Sequence, residues 1–361
     1  MMTDKKPTIG LLFGGRSAEH EVSLLSAANV DAALRQAGYG VVRIGIDRTG
    51  KWFLLDDIVS PQAGDSGARH VALAPGCGGT LFALDGSGDP LPGPVDVVFP
   101  VLHGPFGEDG TVQGLLKLAQ VAFVGPDVLG SAVAMDKDVC KRLLREAGIG
   151  VGDFLSVERG NRVAYETVLD RLGMPVFVKP ANLGSSVGIS KAHDAAEFAA
   201  AVEKAFHFDD KILIERDANG REIECAVLSL DGPAASLPGE IVPEGNHGFY
   251  SYDAKYIDAD GARLLVPAQL PGDIVAQVRD LSVAVSRILG CEGMVRVDFF
   301  LKATGELIVN EVNTLPGFTA ISMYPKLWEA SGTPPAELVA RLVEHAQRRF
   351  VRQQELETRH V

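Results

Sequence analysis

Apolar and polar positions change period several times along this chain, and each change marks an element. The unbroken apolar run in "TIGLLFGG" reads as a buried strand that ends at a double-glycine turn. Next, "EVSLLSAANVDAALRQAG" spaces its apolar residues as a helix and stops at Gly38, and "VVRIGID" is again a strand. Strand, helix, strand predicts a parallel, Rossmann-like sheet whose ligands gather at the carboxyl ends of its strands. That places residues 14–21 and the loop after "VDVVFPVLHG" along one edge. Gly, Pro and Asp crowd residues 60–94, which predicts loops and short strands there.

Near Pro126 the pattern turns to α+β. "MDKDVCKRLLREAG" reads as an amphipathic helix capped by Asp136 and closed by Gly148. "MPVFVKP", a glycine-rich loop, "GISKA", the helix "DAAEFAAAVEKAF" capped by Asp194, and "KILIER" follow. From Glu222 onward strands dominate: "EIECAVLSL", "RLLVPAQL", "GMVRVDFF" and "GELIVNEVN". Two helices break the series, one over residues 273–289 and one capped by Thr333 with Pro334 in its first turn. The tail "RRFVRQQELETRHV" carries little core signal and is expected to fray. Domain boundaries are accordingly expected at 1–126, 127–216 and 217–361.

A length of 361 residues fits this division, since domains usually run to about 100–200 residues. The formal net charge of −13 argues against nucleic acid or an anionic membrane as partner, so any anion site must be locally basic. Four scattered cysteines form no C-x-x-C pair and suggest neither a zinc cage nor a disulfide framework. The N-terminus runs straight into a strand without a signal-like apolar stretch, so a cytoplasmic location is expected.

The loop "FVKPANLGSSVGIS" poses a choice, because Gly184 to Gly188 also fits the G-x-S-x-G of a hydrolase elbow with Ser186 as nucleophile. An elbow requires a helix directly after the loop, and the extended "ISKA" stands there instead. Strand, loop, strand is a hairpin, in which glycines let backbone N–H groups converge on an anion such as phosphate. Lys179 ends the preceding apolar strand; it either meets that anion or snorkels to water. Lys137, in the first turn of a helix, opposes the helix dipole, which also suggests an anionic partner. Lys255 lies in "YSYDAKYIDADGARL", a polar aromatic loop suited to a lid.

Along "VRVDFF" side chains alternate, so Arg296 and Asp298 share one face, and Glu311 and Asn313 share a face of "LIVNEVN". The turn "LKATGE" makes the two strands a hairpin. Asp298, Glu311 and Asn313 are hard oxygen ligands that suit Mg²⁺ completed by phosphate and water; a solvated sheet face is the alternative. Glu19 begins a helix after the glycine turn in "GGRSAEHEVS", either as a capping carboxylate or as an acid for a substrate ammonium. His103 follows an apolar strand, with Glu108 and Asp109 in the next loop. The chain has no P-loop motif and no G-x-G-x-x-G in its first turn.

Taken in order, "GGRSAEHEVSL", "HGPFGEDG", "MDK", "VKPANLGSSVG", "DAKY", "RVDFF" and "NEVNTLPGFT" resemble the D-alanine–D-alanine ligases of the ATP-grasp superfamily. The resemblance runs from about Gly14 to Met323. It implies an ATP-grasp fold of mixed α/β and α+β character: an N-terminal parallel-sheet domain followed by central and C-terminal α+β domains. It further implies two D-alanine molecules and ATP as substrates, two Mg²⁺ or Mn²⁺ ions on Asp298, Glu311 and Asn313, and a homodimer. By this resemblance Lys137, Lys179 and Lys255 meet phosphates under a flap at Ser186, Glu215 the adenine, and Glu222 the ribose. Glu19 meets the first ammonium, with His103 in the substrate loop. Arg296 and the Gly317 N–H meet the oxyanion, and Ser322 with the Met323 N–H the second carboxylate. Ser185 and Tyr256 link flap and lid to Glu19. The residues after Glu215, Arg216-Asp217-Ala218, lack the aromatic that often flanks the adenine in these enzymes.

Overall fold

The computed structural model of the protein describes residues 6–61, 68–86, 91–243 and 262–357. The apolar run that opens the chain forms β1 (Thr8–Gly14), and the helical spacing behind it forms α1 (His20–Gln36). Then come β2 (Gly40–Ile46), β3 (Trp52–Leu55), β4 (Arg69–Leu73), β5 (Leu81–Ala83), β6 (Val97–Val101), α2 (Thr111–Leu118) and β7 (Ala122–Phe123). These strands make one sheet in the order β5-β4-β3-β2-β1-β6-β7. β1 runs parallel to β2 and β6, and β6 to β7, as the strand–helix–strand pattern predicts; β3, β4 and β5 extend it antiparallel. Ile9, Leu11, Leu12 and Phe13 are fully buried, because a central parallel strand is covered on both faces.

A short helix, α3 (Val128–Met135), leads to α4 (Lys137–Glu146). The Asp136 side chain caps α4 by accepting from the N–H groups of Asp138 and Val139, and Gly148 closes it with φ of +77°. A second, four-stranded sheet follows, built from β8 (Phe154–Glu158), β9 (Val176–Pro180), β10 (Ser190–Ala192) and β11 (Lys211–Arg216) in the order β10-β9-β11-β8. α5 (Tyr165–Leu172) and α6 (Ala195–Phe206) supply apolar residues to its core. β9 and β10 pair antiparallel around the glycine-rich loop, so that loop is a hairpin and not a nucleophile elbow.

The third sheet joins β12 (Arg221–Ser229), β13 (Pro233–Ala235), β14 (Gly239–Pro243), β15 (Ala262–Leu265), β16 (Met294–Leu301) and β17 (Leu307–Asn313), with α7 (Gly272–Ile288) against it. Val295, Val297 and Phe299 point from β16 into an apolar cluster shared with α3, α4 and α7, so the alternate residues Arg296 and Asp298 lie on the opposite face. The chain closes with α8 (Met323–Ala330) and α9 (Pro335–Gln354). Both contribute to the apolar cluster of the first sheet, which also takes in Ala226, Leu228, Ile241 and Met294 from the third.

The tail corrects an expectation. It does not fray at "RRFVRQQ": α9 runs through Gln354, and Arg349 is buried. Its guanidinium donates to the carbonyls of Gly125 and Phe123 at 2.6 and 2.8 Å and lies over the Phe123 ring. A charged side chain that satisfies buried backbone acceptors carries no apolar signal in sequence, and the reading missed it for that reason.

Candidate active site

Two adjoining hollows open where the three sheets meet. The larger, about 360 Å³, lies between the second and third sheets, and Lys179, Ser186, Glu215, Glu222, Asp298 and Glu311 line it. The smaller, about 100 Å³, is walled by Glu19, His103, Ser185, Arg296, Asn313 and Gly317, with Ser322 and Met323 at one side. Glu224, Ile241 and Glu311 border both, so the hollows communicate. Lys137 reaches the junction, its ammonium 3.8 Å from Glu311. The structure thus gathers residues spread over some three hundred positions. Lys255 and Tyr256 lie outside the described residues.

The β16–β17 hairpin sets the register of the charged face. Asp298 stands opposite Glu311 and Arg296 opposite Asn313, while Glu224 of β12 stands opposite Asp298 on the other side. Arg296 grips Asp298 with two bonds of 2.8 and 2.7 Å and pairs with Glu224 at 2.9 Å. Asn313 donates to Asp298 at 2.9 Å. Burial lowers the proton affinity of Arg296, but Asp298 and Glu224 outweigh it and hold the guanidinium firmly charged. Among the described residues no three His, Cys, Asp or Glu side chains form a ready metal cage. Two carboxylates and an amide oxygen on one cleft face nonetheless fit a hard divalent cation that takes its remaining ligands from phosphate and water.

Glu19 sits at the first cap position of α1, but among the described residues its carboxylate makes no capping bond. It instead accepts a hydrogen bond from the Ser185 hydroxyl across the hollow. Gly104 and Gly184 allow this approach: a Cβ on Gly104 would come within 2.6 Å of the Glu19 carboxylate, and one on Gly184 within 3.2 Å. Ser185 and Ser186 both adopt left-handed backbone, φ +49° and +59°, which costs about 1 kcal/mol each.

His103 is buried, its Nδ1 bonded to the Leu315 carbonyl and its Nε2 to the Ser26 hydroxyl. Burial holds it below the usual histidine range despite nearby Glu19, so it stays neutral and donates through Nδ1. Gly317 could not be another residue without displacement, because a Cβ there would meet the Ser322 hydroxyl at 2.8 Å. Ser322 precedes α8, and among the described residues its side chain caps no N–H of that helix. Ser322 and Met323 at the start of α8 both line the hollow, so the positive end of that helix's dipole lies beside it.

Several residues of this site escaped the sequence reading. Lys141 is almost fully buried and pairs with Glu215, which also pairs with Lys179. Burial raises the Glu215 carboxyl, yet the two lysines outweigh it and hold it below the ordinary range. Helical spacing could have found Lys141, four residues after Lys137, and strand alternation Glu224, two after Glu222. Aromatic residues from elsewhere in the chain, Phe177 and Phe300, line the larger hollow near Glu215.

Comparison with known proteins follows the same lines. The profile of the D-ala D-ala ligase N-terminus matches residues 8–126, and that of the D-ala D-ala ligase C-terminus residues 143–344. The chain belongs to the D-alanine–D-alanine ligase family. Among ligases of this family, D-alanine–D-alanine ligase A of Mesorhizobium japonicum is 53% identical, covering 95% of this chain and 98% of the relative. The structure of the D-alanine–D-alanine ligase from Coxiella burnetii is 38% identical with a TM-score of 0.86, covering 97% and 96% of the two chains. The VanG D-Ala:D-Ser ligase of Enterococcus faecalis is 33% identical with a TM-score of 0.82, covering 95% of this chain and all of that one. These ligases have the ATP-grasp fold, and so does this chain. Among the described residues no helix is long and apolar enough to cross a membrane.

Proposed function

We propose that this protein joins two D-alanine molecules into D-alanyl-D-alanine while converting ATP to ADP and phosphate, in the cytoplasm and as a homodimer, to supply a peptidoglycan precursor. The observation that supports the reading is the pair of communicating hollows, the larger lined by Lys179, Glu215 and Glu222 and the smaller by Glu19, Arg296 and Ser322, with Glu224 and Glu311 bordering both.

The first D-alanine places its ammonium at Glu19. Its carboxylate oxygen attacks the γ-phosphorus of ATP, ADP leaves, and an acyl phosphate forms. The amine of the second D-alanine, its ammonium proton given to water, attacks the acyl carbon, and phosphate departs with the C–O bond electrons while the proton freed from the new amide nitrogen passes to it. In this reading Arg296 and the Gly317 N–H meet the oxygen charge that develops in that step, and such fixed donors contribute a few kcal/mol each in a dry site. Ser322 and the Met323 N–H hold the second carboxylate, and His103 shapes the wall beside the first substrate. On the nucleotide side, Glu215 accepts from the adenine amine, Glu222 from the ribose, and Lys137, Lys179 and the Ser186 N–H hold phosphates. Lys255 and Tyr256 complete the lid in this reading. Mg²⁺ or Mn²⁺, as two ions, would be held by Asp298, Glu311 and Asn313 and would neutralise phosphate charge. Ser185 on Glu19 supports a closed flap that keeps water from the acyl phosphate.

The reading is tested by mixing the purified protein with ATP, Mg²⁺ and D-alanine and following phosphate and dipeptide. D-alanine-dependent phosphate release with equal dipeptide is expected, and its absence would sink the reading. The alternative is a ligase that takes D-lactate as second substrate. D-lactate should compete poorly with D-alanine at neutral pH, and a comparable ester yield would favour that alternative.

A further inference from the structure

Lys141 projects from α4 one turn after Lys137 and is 2% exposed. The described lining of the larger hollow includes Glu215 and Lys179 and stops short of Lys141. The lysine therefore stands behind Glu215. Its ammonium lies 3.1 Å from one carboxylate oxygen, while Lys179 holds the other at 2.7 Å. Two buried cations on one buried carboxylate are one more than neutrality requires, and an unbalanced buried charge is costly to keep. The excess makes sense only if one cation has a second task. Lys179, in the hollow, is free to turn to a nucleotide phosphate; Lys141, enclosed, is not.

We infer that Lys141 is the permanent counter-ion of Glu215, a positioning residue that keeps this carboxylate ionised and aimed at the base when Lys179 engages phosphate. The inference rests on the placement of Glu215 at the base in the reading above. It makes Lys141 a determinant of base choice. An ionised carboxylate accepts from the exocyclic amine of adenine and repels the carbonyl oxygen that guanine presents there, whereas a protonated one donates to that oxygen. The balance of forces agrees. Burial holds the Lys141 ammonium below the ordinary lysine range although Glu215 opposes the fall, while Lys141 and Lys179 together hold the Glu215 carboxyl below its ordinary range.

The test measures ATP and GTP dissociation constants by titration calorimetry without D-alanine, together with the KM for D-alanine. Lys141→Met should weaken ATP by about tenfold, the usual scale of a hydrogen bond to a charged group, and shrink the ATP-over-GTP preference by a similar factor. The KM for D-alanine should not change. Lys141→Arg should restore most of the preference, and in a Glu215→Gln background Lys141→Met should add little. A native ATP-to-GTP ratio in Lys141→Met, or an equal loss in the Glu215→Gln background, would overturn the inference. If Lys141→Met does not fold, Lys141→Gln decides the matter, because it removes the charge but keeps a donor: a reduced ratio supports the inference and a native one refutes it. Nucleotide binding is read without ligation, so a protein that fails to make dipeptide defeats the proposed function while leaving this result interpretable.

Discussion

Glu108→Gln removes a titratable group from the buried seam between the loop that bears His103 and the loop that bears Gly317. The Glu108 carboxylate accepts from the N–H of Gly104 and from the N–H of Leu315, both at 2.9 Å. Burial, and then the negative charge of Glu19, push its proton affinity up from the ordinary 4.5 to about 7, against the opposing pull of the two N–H groups and Arg296. At about 1.4 kcal/mol per tenfold change in affinity, this rise corresponds to about 3 kcal/mol. The sign follows from which form the fold prefers. The folded protein binds the proton more tightly than the unfolded chain, so the contribution is full below pH 4.5 and is lost as pH climbs through about 7. Glutamine does not titrate, and the N–H acceptor it forfeits costs the same at every pH. Urea denaturation of both proteins between about pH 4.5 and pH 8 should show the wild type losing about 3 kcal/mol relative to the variant. Infrared spectra should show a protonated carboxyl at pH 5 that is absent from Glu108→Gln. Parallel stability profiles over that range would refute the reasoning.

Three further outcomes are expected. Ser185→Ala should release the flap from Glu19 and uncouple the reaction, and a phosphate-to-dipeptide ratio that stays at one would show that the hydroxyl does not guard the acyl phosphate. Arg296→Ala should lower turnover by about 10²–10³-fold while calorimetry still detects nucleotide binding; unchanged turnover would remove Arg296 from its role. Arg349→Met should lower stability by about 1–3 kcal/mol by leaving the Phe123 and Gly125 carbonyls unsatisfied. A thermal unfolding midpoint equal to the wild type would show that water replaces the guanidinium.

Much of this fold is legible because local physics dominates it. The buried runs of β1 and β6, the Asp136 and Asp194 caps, and the extended "ISKA" that rules out an elbow all follow from neighbours in the chain. The pairing of Asp298 with Glu311 is legible too, since alternation and a short turn set both faces at once. What escapes depends on distant partners. Lys141 looks like one more charge on an amphipathic helix until β11 brings Glu215 against it. Glu108 reads as a loop acid until Leu315, some two hundred residues later, offers its N–H. Helix α8 follows a Pro-Gly segment and carries Pro325 in its first turn, so breaker residues conceal it.

The grip of Arg349 on Phe123 and Gly125 also bears on mechanics. It stitches the end of the chain to its first sheet, and one apolar cluster binds that sheet to α8, α9 and part of the third. The four-stranded sheet that carries Lys179, Ser185 and Glu215 keeps an apolar core of its own. Two leaves of the molecule are therefore bound into a spine by apolar packing, whereas the leaf between them is clasped to that spine by polar bonds, Lys141 to Glu215, Lys211 to Asp136 and Ser185 to Glu19.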